Sequence, residues 1–167
     1  MPACPMLTTL STNSTDLEAL RALNNEHARE LSYAETEHFN WLVEHAFFAA
    51  AMNETEAFLI AFDQDAAYKS PNFLWFKERF EKFVYVDRLV TASEARGRGH
   101  AIRLYDALLS ASQAVGHKLV VCEINEIPPN PVSVGLHARF GFVKVGEQFL
   151  PGAEKTVGYY VRSFQTS

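Results

Sequence analysis

A strand, a glycine-rich turn and a long helix follow one another in the middle of the chain, and this order constrains the fold more than any other feature. The apolar run from Phe83 to Val90 predicts a buried strand. After the turn, apolar residues recur at helical spacing until Gly116, which is a typical helix terminator. The turn reads Arg96-Gly97-Arg98-Gly99-His100-Ala101, and the predicted helix face holds Ile102, Tyr105, Leu108, Leu109 and Ser112.

The glycine-rich turn, residues 96–101, has the chemistry of an anion site. Glycines let backbone N–H groups approach a phosphate closely, and the N-terminus of the following helix adds about half a positive charge. Arg96 and Arg98 add cationic side chains. The turn could instead be a purely structural strand-to-helix connection with solvated arginines. It is not a dinucleotide-binding turn of the Gly-x-Gly-x-x-Gly type, because the third glycine is absent.

The segments before this strand predict two helices and a hairpin. Polar residues at 13–16 are N-cap candidates for a helix over about residues 15–27, and a second helical pattern starts near Thr36. Asn53-Glu54 separates two apolar runs, Phe47 to Met52 and Phe58 to Phe62, as expected for a β-hairpin. Residues 63–81 then form a long connection, of the kind that is functional or carries a short helix.

The segments after the long helix predict three more strands and a short helix. Lys118 to Ile124 is an apolar strand. Asn130 followed by Pro131 is a typical helix start, and Gly141 a fitting end. The last strands are predicted over Phe142 to Gln148 and Thr156 to Arg162. The whole of residues 1–167 is therefore interpreted as a single domain of mixed α/β type.

The motifs of this C-terminal part resemble those of one enzyme superfamily, the GNAT acyl-CoA-dependent N-acyltransferases. The family's cofactor motif reads Arg/Gln-x-x-Gly-x-Gly/Ala. Arg96, Gly99 and Ala101 match its three defined positions. In the family, the next strand is followed by the motif Asn-x-x-Ala/Ser and then by a Gly-Phe pair. Asn130 and Ser133 match the first motif, and Gly141-Phe142 matches the pair. The resemblance implies a mixed, largely antiparallel, splayed sheet flanked by helices.

The resemblance also implies a cofactor site for acetyl-CoA, used as the acyl donor without a metal. The cofactor is expected in the split between the strand ending near Thr91 and the strand over 118–124. The glycine-rich turn would hold its pyrophosphate, with Gly97, Arg98 and His100 among the residues of that turn. Backbone groups of Leu89, Val90 and Thr91 would pair with the pantetheine amides, while Asn130 and Ser133 would lie along its thiol end.

Two residues are candidates for the chemistry. An ordinary amine is almost wholly protonated at pH 7, so its attack on a thioester benefits from a base. Glu123 lies within an apolar strand, where a carboxylate has no packing value, and the resemblance implies that it is this base. His137 stands where the family often has a tyrosine that protonates the leaving thiolate, and histidine can donate a proton near neutral pH. The alternatives are a salt-bridged glutamate on a strand face and a histidine bonded to a neighbour on its helix.

Aromatic residues in the long connection are candidates for an acceptor pocket. Their position before the central strand corresponds, by resemblance, to the acceptor loops of such enzymes, and aromatic walls with an amide suit a small amphipathic amine. The same residues could simply cap the core. The candidates are Tyr68, Asn72, Trp75 and Phe76.

Composition narrows the partners. The net charge of −5 gives no field that would attract nucleic acid or an anionic membrane surface. The chain has no apolar stretch of membrane-spanning length and no signal-peptide pattern at its start, and its two cysteines have no metal or disulfide spacing, so a cytoplasmic protein is expected.

We expect an N-acetyltransferase that transfers acetyl directly to an amine of a small molecule or peptide. The alternatives are a non-catalytic acyl-CoA-binding or regulatory module of the same fold, and a pure interaction domain. The family also suggests a homodimer.

Overall fold

Strands and helices alternate along most of the chain. A computed structural model describes residues 3–28 and 31–164. Within these residues the elements are, in chain order, β1 (Leu7–Thr9), α1 (Leu17–Glu26), α2 (Thr36–His45), β2 (Phe48–Met52), β3 (Ala57–Asp63), α3 (Pro71–Lys77), β4 (Val84–Thr91), α4 (His100–Ala114), β5 (Leu119–Ile127), α5 (Pro131–Arg139), β6 (Val143–Leu150) and β7 (Lys155–Ser163). A single turn of 3-10 helix at Ser93–Ala95 precedes the glycine-rich turn.

The strands form one sheet that splits in the middle. Over the described residues the order is β1-β2-β3-β4-β5-β7-β6, and every neighbouring pair is antiparallel except β4 and β5. This parallel pair is in register only at Val84 with Val120 and at Tyr85 with Val121. The strands separate beyond these pairs. The predicted fold class, a mixed and largely antiparallel splayed sheet flanked by helices, is confirmed.

A β-bulge lies in β4 at the start of the split. Ile60 of β3 pairs with Arg88, whereas the next residue, Ala61, pairs with Val86, so Asp87 is the extra residue. Consecutive strand residues normally point to opposite faces, and an inserted residue breaks this alternation. Asp87 and Arg88 consequently lie on the same face of the sheet, where their side chains form an ion pair of 2.6 Å.

Two apolar cores cover the two faces of the sheet. On one side, here called the α1 face, the sheet packs against α1, α2 and α3. On the other, the α4 face, it packs against α4, with Leu136 of α5 and Phe142, the residue before β6, beside it. Fully buried residues of the α1 face include Leu20, Leu42, Phe58, Phe73 and Tyr85, and those of the α4 face include Leu104, Tyr105, Leu108, Val120 and Leu59.

The observed elements differ from the predicted ones in three places, and in a fourth, the connection over residues 63–81, the short helix that was one of the predicted alternatives is confirmed. β1 was not predicted, because its three residues are all exposed and carry no apolar alternation. The connection over residues 63–81 contains α3, which begins at Pro71 and buries Phe73 and Phe76. β5 continues to Ile127, beyond its apolar run, since β7 pairs with it there. The buried face of α4 includes Leu104, while Ile102 and Leu109 are only half-buried.

The predicted start of α5 is confirmed in detail. The Asn130 side chain accepts a hydrogen bond of 3.3 Å from the backbone N–H of Ser133, and Pro131 occupies the first turn of the helix. Asn130 thereby satisfies one of the N–H groups that a helix start leaves unpaired. In the described ranges, no helix is long and apolar enough to cross a membrane.

Candidate active site

A cleft of about 570 Å³ opens where β4 and β5 separate. Its walls are the second half of β4, the glycine-rich turn, the first turns of α4, the end of β5 and α5. It brings together ten of the eleven residues predicted to bind the cofactor and both candidate catalytic residues. These are Leu89, Val90, Thr91, Arg96, Gly97, Gly99, His100, Ala101, Asn130 and Ser133, with Glu123 and His137.

The glycine-rich turn depends on two backbone conformations that favour glycine. Gly97 and Gly99 have φ angles of +81° and +80°, in the region that L-residues with a Cβ rarely adopt. Gly99 is also the N-cap residue of α4, and no side chain of the described residues caps this helix start. The first N–H groups of α4 are therefore available to an anion.

The two arginines of the turn differ in their surroundings. Arg96 lines the cleft, where its Nη2 lies 3.4 Å from Nε2 of His27. Arg98 instead forms an ion pair of 3.1 Å with Glu56, a residue just before β3. Glu56 also accepts a hydrogen bond of 2.6 Å from Nε2 of His100. Arg98 is the one predicted cofactor residue that the structure does not bring to the cleft, because its charge is already paired on the outer side of the turn.

Glu123 is positioned inside the cleft by the alternation of β5. Its cross-strand partner is Tyr159, on the α1 face of the sheet. The Oε2 atom is buried and makes no hydrogen bond within the part of the chain that the structure describes. Burial raises the pKa of Glu123 to about 8; the nearby Tyr85 hydroxyl opposes this, and the charge of Asp87 adds to it. The carboxyl is therefore mostly protonated at pH 7. A group with a pKa this close to neutral can both accept and release a proton, as a general base must.

Asp87 lies on the same side of the cleft but is already paired. It accepts hydrogen bonds from Nε of Arg88, at 2.6 Å, and from the Tyr68 hydroxyl, at 2.8 Å. Burial disfavours the charged form of Arg88, but the Asp87 carboxylate and the Tyr68 hydroxyl together outweigh it, so the pKa of this guanidinium is raised. Nη1 of Arg88 donates to the Asn24 side chain at 2.8 Å and to the Ser32 carbonyl at 3.3 Å. The buried network thus attaches β4 to α1 and to the connection that follows it.

His137 is held in one tautomer by α5. Its Nδ1 lies 2.7 Å from the Ser133 carbonyl oxygen and 3.2 Å from the Ser133 hydroxyl. Because a carbonyl can only accept, Nδ1 carries the proton and Nε2 of the neutral ring accepts from the Tyr105 hydroxyl. Burial lowers the pKa of His137, and the Ser133 carbonyl offsets part of this. Burial, together with the nearby Cys122 thiol, raises the pKa of Tyr105.

The four predicted acceptor residues do not line the cleft. Phe76 is fully buried in the core of the α1 face, and Trp75 stacks on Tyr159 with ring centroids 4.1 Å apart. Asn72 accepts a hydrogen bond of 2.8 Å from the Tyr159 hydroxyl, while Tyr68 is bonded to Asp87. The structure therefore corresponds to the alternative reading, in which these residues cap the core, because α3 folds onto the sheet instead of remaining an open loop.

The cleft residues that were missed in the sequence include Tyr105, Arg88 and Asn125. Tyr105 has the spacing of a core residue on α4, and nothing in its pattern distinguishes a hydroxyl that points to another helix. Arg88 and Asn125 lie in strands, and their place in the cleft depends on the bulge in β4 and on the separation from β5. A sequence signal did exist for both, since buried strands seldom carry polar side chains without a partner or a function.

The comparison with protein families agrees with the fold. The chain belongs to the acetyltransferase (GNAT) family, whose model matches residues 17–142. The resemblance predicted from the motifs is thereby confirmed. No curated protein sequence shows a significant match to the chain.

Solved structures with the same fold cover almost the whole chain. NAA60 of Arabidopsis thaliana, in complex with acetyl-CoA, is 16% identical with a TM-score of 0.75, over 96% of this chain and 100% of that one. Ard1 of Thermoplasma volcanium is 12% identical with a TM-score of 0.77, over 98% and 100%. The ribosomal-protein-S18-alanine N-acetyltransferase of Escherichia coli is 11% identical with a TM-score of 0.70, over 98% and 96%.

Proposed function

We propose that this protein transfers the acetyl group of acetyl-CoA directly to an amine of a small molecule or peptide. One observation carries the proposal. The same cleft is lined by the glycine-rich turn, which can bind an anion, and by Glu123, a buried carboxyl whose pKa is raised. A phosphate-rich cofactor and a proton-accepting group are the two requirements of thioester aminolysis in this family. The structural relative bound to acetyl-CoA supports the choice of cofactor.

The backbone of β4 offers the pantetheine arm its hydrogen-bonding partners. Between Val86 and Thr91 the edge of β4 that faces β5 has lost its partner strand. Backbone N–H and C=O groups left without a strand partner are strong hydrogen-bonding sites. The two amides of the pantetheine arm would replace the missing strand along Leu89, Val90 and Thr91. With the arm in this direction, the pyrophosphate would lie at residues 96–101 and the thioester near Glu123.

The proposed reaction needs one proton to leave the amine and one to reach the sulfur. The amine nitrogen forms a bond to the thioester carbonyl carbon, and the carbon–sulfur bond breaks to give an amide and free CoA. Glu123, as a carboxylate, takes the proton that the acceptor loses. Its raised pKa makes this transfer less uphill than an ordinary glutamate would, although only the deprotonated fraction is active at a given pH.

The leaving thiolate would receive its proton from the Tyr105–His137 pair. Sequence reasoning assigned this role to His137 alone, but in the observed tautomer Nε2 accepts from Tyr105, and the ring has no second proton to give. We propose that the Tyr105 hydroxyl donates this proton in place of the family's usual tyrosine, and that His137 orients the hydroxyl. A thiolate with a pKa of about 8.5 leaves fairly well unaided, so the contribution is moderate.

Release of free thiol from acetyl-CoA tests the proposal. The purified protein is mixed with acetyl-CoA and separate pools of amino acids, polyamines, aminoglycosides and short peptides, and thiol is followed by absorbance. Thiol release that depends on an amine pool, with a matching acetylated product by mass spectrometry, is the expected result. Binding of CoA without release by any pool would favour the non-catalytic acyl-CoA-binding module, and absence of CoA binding would favour an interaction domain.

A further inference from the structure

We propose that Glu56, which does not line the cleft, is a positioning residue for the cofactor. By holding the His100 side chain, it fixes the start of α4 where the free N–H groups of that helix can meet the pyrophosphate. Because acetyl-CoA is the ligand concerned, this role rests on the proposed function. Three observations carry it: the contacts of Glu56, the lack of other partners for the His100 ring, and the charge of Glu56 itself.

Glu56 contacts both ends of the segment that joins β4 to α4. Its backbone carbonyl accepts a hydrogen bond of 2.8 Å from the N–H of Ala92, the residue that follows β4. Its carboxylate accepts one of 2.6 Å from Nε2 of His100, the first residue of α4, and one of 3.1 Å from Nη1 of Arg98. One residue at the end of the β2–β3 turn therefore holds the chain on either side of the glycine-rich turn.

Glu56 is itself held in place by the β2–β3 turn. Its backbone N–H donates to the Met52 carbonyl at 3.1 Å, and the Asn53 side chain donates to its Oε2 at 3.0 Å. The hydrogen bonds from Asn53 and His100, together with the charge of Arg98, lower the pKa of Glu56. The carboxylate is therefore charged at neutral pH and fixed from its own side of the contact.

The His100 ring depends on this contact. It is buried, with the residue only 2% exposed, and in the ranges 3–28 and 31–164 its Nδ1 has no hydrogen-bond partner. Because a carboxylate can only accept, Nε2 carries a proton and donates it to Glu56. Loss of Glu56 would leave both ring nitrogens buried and unpaired, so the ring would turn toward water. Since His100 begins α4, its movement would shift the N–H groups that are available to an anion.

The charge of Glu56 is unfavourable for an anion site. A carboxylate near the pyrophosphate repels it, and the ion pair with Arg98 withdraws a cation from the same turn. If neutralisation of Arg98 were the function of Glu56, its removal would free that cation and strengthen cofactor binding. If positioning of His100 is the function, removal should weaken binding in spite of the freed cation. The two roles therefore predict changes of opposite sign.

The experiment measures CoA affinity by isothermal titration for the wild type and variants of Glu56. Glu56→Ala should raise the Kd about tenfold, and the KM for acetyl-CoA similarly, with kcat unchanged. Glu56→Gln should stay within about twofold of the wild type, because the amide oxygen can still accept from His100. Glu56→Asp keeps the charge but is too short for this contact, so it should weaken binding as Glu56→Ala does. Glu54→Ala, which removes an exposed charge from the same turn, is the matched control and should have no effect.

Three results would overturn the role of Glu56. Tighter CoA binding in both Glu56→Ala and Glu56→Gln would show that the carboxylate only neutralises Arg98. Wild-type affinity in folded Glu56→Ala and Glu56→Asp, with a lower free energy of unfolding in urea, would show a purely structural residue. The third result requires no variant to fold: by NMR of the wild type, the Nε2–H of His100 should stay protected from solvent exchange with and without CoA, and its exposure on CoA binding would mean that Glu56 releases the ring.

In each of these three cases the wild type still binds CoA, and the proposed function stands. If the wild type binds no CoA, the cofactor site of the proposed function fails and the role of Glu56 fails with it.

Discussion

The Tyr105 hydroxyl donates a hydrogen bond to Nε2 of His137, because the Nδ1–H of that ring is already bound to the Ser133 carbonyl. The two residues come from different helices, α4 and α5, and both line the cleft. The proton available at this end of the cleft is therefore on a tyrosine oxygen, although the sequence motif contains a histidine there.

Replacement of Tyr105 by Phe should lower kcat about tenfold and leave the KM for acetyl-CoA nearly unchanged, since only the proton donor is lost. His137→Ala should lower kcat similarly, and it should also destabilise the fold by about 1–3 kcal/mol because it leaves the buried Tyr105 hydroxyl without an acceptor. Steady-state kinetics and urea denaturation measure both effects. Tyr160→Phe, which removes a hydroxyl bonded to Glu126 outside the cleft, is the matched control. A wild-type kcat in folded Tyr105→Phe would contradict the role.

Protonation of His137 should destabilise the protein at acid pH. The pKa of His137 in the folded state is lowered by burial, so folding favours the neutral ring. Its stabilisation is present above the unfolded pKa of about 6.5 and is lost as pH falls through the lower folded value. In urea titrations, the decline in wild-type stability below pH 6.5 should be smaller in His137→Gln, which cannot be protonated. Identical pH dependence of the two proteins would show that this ring does not titrate on unfolding.

Glu123→Gln should lower kcat on the order of 10²-fold, with little effect on acetyl-CoA affinity. In the wild type, activity should rise with pH through an apparent pKa of about 8, and the variant should lose this limb. The stability of the fold should change with pH in the opposite direction to the activity. Because folding raises the pKa of Glu123 from 4.5 to about 8, its protonated form stabilises the fold fully below pH 4.5, and this stabilisation is lost as pH rises through about 8. Glu123→Gln should therefore be more stable than the wild type at pH 9. Glu81→Gln, at an exposed position, is the control; an unaltered pH–rate profile in Glu123→Gln would assign Glu123 a structural role.

Gly99→Glu should abolish CoA binding, because a carboxylate at the start of α4 repels the pyrophosphate. The positive φ of Gly99 adds about 1 kcal/mol of strain for any residue with a Cβ. Gly99→Ala separates the two effects, since it has the strain without the charge and should retain measurable binding. Isothermal titration with CoA is the measurement, and Gly152→Glu, in open space on the β6–β7 turn, controls for the added charge. Unchanged affinity in a folded Gly99→Glu protein would refute the cofactor site.

The two arginines of the turn should differ in their effect on CoA affinity. Arg96 lines the cleft, so Arg96→Ala should weaken binding about tenfold and reduce its salt dependence. Arg98 is paired with Glu56, so Arg98→Ala should change affinity less than about twofold. The same titration at two salt concentrations compares them directly. The reverse order would mean that Arg98 leaves Glu56 when the cofactor binds.

The sequence predicted those parts of the structure that local patterns encode. The glycine-rich turn over residues 96–101, the N-cap at Asn130 and the carboxylate of Glu123 within an apolar run are all local features. The spacing of the motifs also identified the family. What could not be predicted depends on contacts between distant segments. The pairing of Arg98 with Glu56 joins residues 42 positions apart, and that of Tyr105 with His137 joins residues 32 apart. The aromatic run around Trp75 gave no sign of whether α3 would cover the core or border the cleft.

The extra residue in β4, Asp87, reverses which side chains face α1, the odd-numbered or the even-numbered ones. Up to Asp87, odd-numbered side chains such as Tyr85 face α1, whereas from Arg88 onward the even-numbered ones do, as Val90 shows. Deletion of Asp87 would remove only this extra residue, so Arg88 would follow Val86 directly, and regular alternation would leave Val90 facing α1 and Leu89 facing α4. The second half of the strand would keep its packing, but Arg88 would lose its ion pair of 2.6 Å and the Tyr68 hydroxyl its hydrogen-bond acceptor. The bulge therefore adds one buried carboxylate to a strand whose other side chains would fit the sheet without it.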